Sequence, residues 1–233
     1  MKTSPVIVAL DVESAVEARA LVAALGDAAS FYKVGLELYT SAGMDFARQL
    51  KALGHRVFLD LKLYDIAETV RRAAAQVARA GVDFLTVHGS RAVMEAAVAG
   101  RAAESGEALA LLAVTVLTSF DESDLRQMGY TCTVSELVDL RVRNAVEAGV
   151  DGIVCSANEV LNVRRIVGPH KILVTPGVRS AGAESGGQKR VATPAEALAR
   201  GADYLVIGRQ VTRARDPRGE MLRILDEIDA AKQ

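Results

Sequence analysis

Val57-Phe58-Leu59-Asp60-Leu61-Lys62-Leu63-Tyr64-Asp65 passes from a continuous apolar run into a stretch carrying Asp60, Lys62 and Asp65. The apolar part reads as a buried β-strand, so the charges fall at its carboxyl end. Residues two apart on a strand point the same way, which puts Asp60 and Lys62 on one face. Charge is costly to bury unless it is paired or used. The pattern recurs nearby: Asp11 closes the run Val6–Leu10, and Lys33 lies inside Phe31–Leu36. A polar cluster assembled from several strand ends is how barrel enzymes build a site.

Outward from this stretch, short β-like runs alternate with Ala-rich helical patterns. Strands are predicted at Val6–Leu10, Phe31–Leu36, Arg56–Leu61, Phe84–His88, Ala110–Leu117, Gly152–Ser156, Ile172–Thr175 and Tyr204–Gly208. Helices are predicted at Val16–Leu25, Gly43–Ala52, Thr69–Ala80, Val93–Glu104, Val134–Ala148, Ala195–Ala199 and Arg218–Ala231. One phrase repeats where a helix gives way to a strand: Ala80-Gly81-Val82-Asp83, Ala148-Gly149-Val150-Asp151 and Arg200-Gly201-Ala202-Asp203. Glycine accepts the left-handed conformation at a helix exit without a Cβ penalty. Its recurrence supports regular βα units. Eight strands with helical crossovers predict a (β/α)₈ TIM barrel, with a doubly wound open sheet as the structural alternative. The first strand–helix connection carries no GxGxxG, which gives a dinucleotide fold no support.

The 233 residues suffice for one domain with a substantial core. Apolar residues make up 50% and charged residues 24%, an ordinary globular balance, and the formal net charge is −1 with no basic tail. This argues against nucleic acid as the main partner. No targeting signal is evident, and no segment has the length of a membrane span. Cys132 and Cys155 fit no metal or disulfide framework and predict reduced thiols in a cytoplasmic protein.

Two loops stand out. Residues 177–190 follow the seventh strand and carry glycines at 177, 182, 186 and 187, a composition suited to closing over a ligand as a lid over about 179–190. Thr118–Thr133 is long for a βα loop and is read as a cover or a solvated excursion. Gly208-Arg209 ends the eighth strand, and Gly177 and Arg179 follow the seventh. In barrels, phosphate often binds between these two loops, and Arg209 offers directed donors.

A lysine held between carboxylates stays an ammonium. It is then a poor Schiff-base nucleophile but can donate a proton or stabilise a developing carbanion. Asp65 doubles as a candidate start of a helix running on through Val70. His55 and His170 are expected in exposed loops; His88 ends the fourth strand and could line the pocket, its plainer reading being a satisfied strand-end histidine. Three scattered histidines make no metal triad. Asp11, Asp60 and Asp65 could hold Mg²⁺, but the neighbouring lysines compete with a cation.

These residues closely resemble those of the orotidine 5′-phosphate decarboxylase family. The strongest match is Asp60-Leu61-Lys62-Leu63-Tyr64-Asp65-Ile66, the family's Asp-x-Lys-x-x-Asp signature. Lys33-Val34-Gly35, Val114–Ser119, Thr175-Pro176-Gly177-Val178-Arg179 and Gln188–Pro194 support it, and the likeness runs from Val8 to Arg209. The resemblance implies a homodimeric barrel that converts orotidine 5′-phosphate to UMP and CO₂ without metal or organic cofactor. It implies a catalytic network of Lys33, Asp60, Lys62 and Asp65, with Asp65 reaching the site of the partner subunit. Substrate contacts are implied for Asp11, Lys33, Thr69, Thr118, Pro176, Arg179, Gln188, Gly208 and Arg209. Asp11 and Lys33 would hold ribose hydroxyls, Thr118 and Gln188 the pyrimidine region, and Gln188, Gly208 and Arg209 the phosphate. The chain departs from the family pattern at Tyr64, Ala67-Glu68, Gly89-Ser90-Arg91, Ser180 and Gly187, none of them a charged catalytic position. The rival readings are a related barrel decarboxylase or epimerase acting on a phosphosugar with Mg²⁺, a Schiff-base aldolase, and a non-catalytic barrel that binds a phosphate metabolite.

Overall fold

Eight parallel strands close on themselves in chain order: β1 (Val6–Ala9), β2 (Phe31–Gly35), β3 (Arg56–Leu63), β4 (Phe84–His88), β5 (Ala110–Val114), β6 (Gly152–Val154), β7 (Ile172–Pro176) and β8 (Tyr204–Ile207). Closure runs through Val6↔Leu205, Ile7↔Val206 and Val8↔Ile207. This computed structural model describes residues 4–104, 108–181 and 192–231. The (β/α)₈ barrel expected from the sequence is thus the observed fold, and the open sheet is excluded.

The helices are α1 (Ala15–Leu25), α2 (Leu36–Ala52), α3 (Ala67–Arg79), α4 (Arg91–Ala102), α5 (Glu122–Gln127), α6 (Val134–Ala148), α7 (Val160–Val167), α8 (Pro194–Ala199), α9 (Arg209–Thr212) and α10 (Pro217–Ala230). Four differ from expectation, among them α9, a single turn that follows β8 directly from Gly208. α2 starts directly after β2, and its break, not its start, is at Gly43, where φ is 65°. The long segment after β5 contains α5, closed by a reciprocal capping box between Asp121 and Asp124. α7 was not anticipated, because its β-branched residues have weak helix propensity; Val160 and Val163 nevertheless bury one face of it.

Strand alternation divides the core in two. Val8, Leu59, Leu85 and Leu111 face outward and pack under the helices. Ile7, Ala9, Phe31, Phe58, Phe84, Leu112, Val174 and Val206 fill the barrel. The inward series matters for function: two residues beyond Phe31, Phe58 and Phe84, toward the carboxyl end, stand Lys33, Asp60 and Thr86. An aromatic layer therefore forms the floor under a polar layer. At the opposite end Arg56 closes the barrel, its guanidinium 4.1 Å from the Phe31 ring centroid and hydrogen-bonded to the Tyr204 hydroxyl.

The three repeated junctions share one construction. Gly81, Gly149 and Gly201 all have positive φ. The aspartate two residues later reaches across to the preceding strand and accepts the N–H of its first rungs: Asp83 from Val57 at 2.8 Å, Asp151 from Leu111 at 2.7 Å, Asp203 from Leu173 at 2.7 Å. Each carboxylate also meets a cation, Lys51, Arg101 and Arg164 respectively. Asp83→Ala leaves the Val57 N–H without its acceptor and removes the carboxylate that faces Lys51 and, at 3.6 Å, Arg56. We expect it to lower unfolding free energy by roughly 1–3 kcal/mol, measured by urea denaturation, with turnover unchanged at a temperature where the variant is folded.

Candidate active site

The carboxyl ends of β1, β2 and β3 deliver a connected charge cluster. Lys33 is 7% exposed. Its Nζ lies 2.8 Å from Asp11 Oδ1 and 3.6 Å from Asp60 Oδ2. Lys62 Nζ lies 2.8 Å from Asp60 Oδ1. Gly35 permits this arrangement, since a Cβ there would sit 2.8 Å from Lys33 Nζ and 3.1 Å from Asp11 Oδ1. Burial alone would raise the Asp60 carboxyl. The ammonium groups of Lys33 and Lys62, with hydrogen bonds from Lys62 and Thr86, outweigh it and hold the group below the ordinary carboxylate value.

Asp60 and Lys62 meet as the sequence suggests, but not through a regular pleat. Leu59 pairs with Leu85 and Leu63 with Val87, so β3 carries extra residues relative to β4. At this bulge Lys62 adopts φ 48°, the only positive φ of a non-glycine among the described residues. A left-handed lysine costs about 1–3 kcal/mol and persists where its surroundings over-determine it. Thr86 on β4 accepts the Lys62 N–H at 2.9 Å and donates to Asp60 Oδ1 at 3.0 Å. It was not among the predicted residues. Its inward register, two positions after Phe84, was the available signal.

Two cavities meet at this cluster and share Lys33, Asp60, Lys62, Pro176 and Val206. One, of about 340 Å³, runs past Asp11 to Gly177, Arg179, Gly208 and Arg209. The other, of about 250 Å³, is mainly apolar, lined by Phe58, Val114, Val116, Leu117 and Val154, with Thr118 and Ser119 at its edge. The combined shape has an arm that carries Arg179 and Arg209, a charged elbow and an apolar slot. In the first arm, Gln210 ties the β7 loop down: its Oε1 accepts the Ser180 N–H at 3.1 Å and its Nε2 donates to Ser180 Oγ at 2.9 Å and Glu220 Oε1 at 2.8 Å.

Of the expected site residues, Asp11, Lys33, Asp60, Lys62, Thr118, Pro176, Arg179, Gly208 and Arg209 line these two arms. Asp65 and Thr69 do not. Both are exposed, and the Asp65 carboxylate accepts the Ile66 N–H at 2.6 Å. Asp65 does not cap α3, whose N-cap is Ile66. Gln188 and most of the expected lid lie outside the described residues.

The histidines correct two expectations. His55 is not an exposed loop residue: it is half-buried, 5.0 Å from the Tyr32 ring in an edge contact. His88 is not satisfied, for its buried Nδ1 has no hydrogen-bond partner. Burial, with the Arg141 charge, pushes its pKa down. Tyr64 packs 4.3 Å from the His88 ring, and both border a third cavity beside Lys62. Among the described residues no group of three or more His, Cys, Asp or Glu is placed to hold a metal, and no helix is long and apolar enough to cross a membrane.

The sequence model described as Orotidine 5′-phosphate decarboxylase / HUMPS family matches residues 4–224. The orotidine 5′-phosphate decarboxylase of Methylobacterium nodulans is 52% identical over 225 residues, covering 97% of this chain and 95% of that protein. That of Rhodopseudomonas palustris is 51% identical, covering 97% and 94%. The crystal structure of the Lactobacillus acidophilus orotidine 5′-phosphate decarboxylase superposes with a TM-score of 0.87 at 34% identity, covering 97% of this chain and all of that one. Barrel, charged elbow and near full-length similarity agree: the chain belongs to the orotidine 5′-phosphate decarboxylase / HUMPS family.

Proposed function

We propose that this protein decarboxylates orotidine 5′-phosphate to UMP and CO₂, the last step of de novo pyrimidine nucleotide synthesis. The observation that carries the reading is the elbow itself: Lys62 is held by Asp60 where the arm with Arg179 and Arg209 meets the apolar slot. With phosphate at Arg179 and Arg209, ribose at Asp11 and Lys33, and the pyrimidine in the slot near Thr118, the carboxylated ring carbon falls at the elbow. The C6–carboxylate bond breaks, CO₂ departs, and the electron pair stays on C6. The Lys62 ammonium stabilises that pair and transfers its proton to C6; solvent then reprotonates the amine. Asp60 fixes Lys62 and faces the departing carboxylate. Fixed charges aimed at charge that develops only in the transition state need no reorganisation during reaction.

The active form is a homodimer in which Asp65 and Thr69 complete the partner's site. Supporting this, Asp65 forms no ion pair with its own Lys33 or Lys62 and is exposed between Tyr64 and Ile66, which are 67% and 72% exposed. Exposed Leu117 and Met128 border the third cavity beside them, and such an apolar surface next to a site suits an isologous contact. The free thiols of Cys132 and Cys155 fit a reducing, cytoplasmic setting.

Chelator-treated protein should lower the pyrimidine absorbance of orotidine 5′-phosphate. Unchanged absorbance rejects the assignment, and turnover that requires added Mg²⁺ favours the phosphosugar-type rival. Arg209→Ala should raise KM by at least about tenfold, since a charge-assisted hydrogen bond contributes about 1.5–3 kcal/mol. Unchanged KM and kcat/KM would remove Arg209 from the phosphate arm.

A further inference from the structure

We propose that Thr86 is a positioning residue for the reacting lysine, a role that rests on the decarboxylase reading above. The single Thr86 hydroxyl joins the two groups at the elbow. It accepts the Lys62 backbone N–H at 2.9 Å and donates its proton to Asp60 Oδ1 at 3.0 Å. The direction of that chain is fixed, because an N–H can only donate and an ionised carboxylate can only accept. Asp60 Oδ1 also receives Lys62 Nζ at 2.8 Å. Thr86 Oγ1, the Lys62 N–H, Lys62 Nζ and Asp60 Oδ1 thus form a closed loop in which the lysine is held at both its backbone and its tip.

This loop explains why the lysine stays in its unusual backbone conformation. Where β3 bulges, the regular ladder to β4 is interrupted between Leu59 and Leu63, and the Lys62 N–H falls in the gap. A side-chain hydroxyl supplies the missing acceptor. Thr86 is 0% exposed and packed against the barrel interior, so water cannot readily take its place. β-branching also restricts its χ1, which keeps the hydroxyl aimed at the bulge. The other charged groups facing Asp60, Lys33 from β2 and Lys62 from β3, hold its carboxylate but do not touch the Lys62 backbone. Thr86 alone among the described side chains connects the two.

Thr86→Val keeps the shape and removes both hydrogen bonds. With orotidine 5′-phosphate as substrate, the variant should lose about 10²-fold in kcat, the scale of a small misplacement of a reacting group, with KM within about threefold of the parent. Thr86→Ser should recover kcat to within about threefold. If Thr86→Val does not fold, Thr86→Ala carries the same expectation. A crystal structure of the Val or Ala variant reads the geometry whether or not the parent turns over: Lys62 should leave the left-handed region and its Nζ should separate from Asp60. An unchanged kcat, an equal loss in the Ser variant, or a Lys62 still at positive φ on Asp60 would overturn the proposal. A parent enzyme inert toward the substrate would instead reject the decarboxylase reading and leave the crystallographic result to decide the role of Thr86.

Discussion

Lys62→Ala is expected to fold normally and to lose at least about 10⁴-fold in kcat/KM, because it removes a general acid worth about 10²–10⁴ together with electrostatic stabilisation worth about 10²–10³. Lys62 is 35% exposed at its side chain and lies at the mouth of the barrel rather than in its apolar interior. Its removal should therefore leave the thermal midpoint close to that of the parent. The truncation leaves Asp60 facing only Lys33 among the neighbouring cations, at 3.6 Å. Ligand binding through the Arg179 and Arg209 arm should survive, so kcat should fall far more than affinity for UMP. Near-normal turnover by a folded variant would contradict the role given to this residue, and a parallel collapse of thermal stability would make it structural.

The second large effect concerns Asp65, which makes no ion pair with the cluster within its own chain. Asp65→Ala alone should be nearly inactive, although the residue is exposed and its carboxylate only accepts the adjacent Ile66 N–H. Mixing it with Lys62→Ala under conditions that allow subunit exchange should restore activity. A mixed dimer holds one site with Lys62 from one subunit and Asp65 from the other, and a second site lacking both. Random reassortment through a two-fold interface therefore gives about one quarter of the parent activity. No recovery, with mixed dimers demonstrated by native mass spectrometry, would show that Asp65 serves its own site or none.

The fold was legible because its signals are periodic and local. The apolar runs, the Gly-x-Asp junctions and the helix stops all report on neighbours in sequence, and a closed barrel is what eight such units build. Lys33, Asp60 and Lys62 were legible for a related reason: ionisable residues at the ends of apolar strands have few inexpensive structural uses. The misses have equally physical origins. α7 mixes four β-branched residues with Leu161, Asn162, Arg164 and Arg165, so propensity alone does not declare a helix and tertiary burial of Val160 and Val163 decides it. The helix that begins at Leu36 continues the alternation of β2, so nothing local marks the change. Thr86 looked like an ordinary strand residue. Only the bulge at Lys62 turns its hydroxyl into a link between two charged groups, and a bulge is a property of two strands together. The hydrogen bond from the Ser180 backbone N–H to the Gln210 side chain likewise joins residues thirty apart, beyond the reach of any local pattern.

In the proposed reaction a fixed ammonium, that of Lys62, meets negative charge as it forms on a ring carbon. A crystal structure of the dimer with a UMP analogue carrying a negative group at C6 tests it most directly. The expected result is Lys62 Nζ within about 3 Å of that group, a hydrogen-bond distance, with the partner's Asp65 beside it and the phosphate at Arg209. A bound analogue with Lys62 directed away from C6, and no room in the site to bring it near, would contradict it.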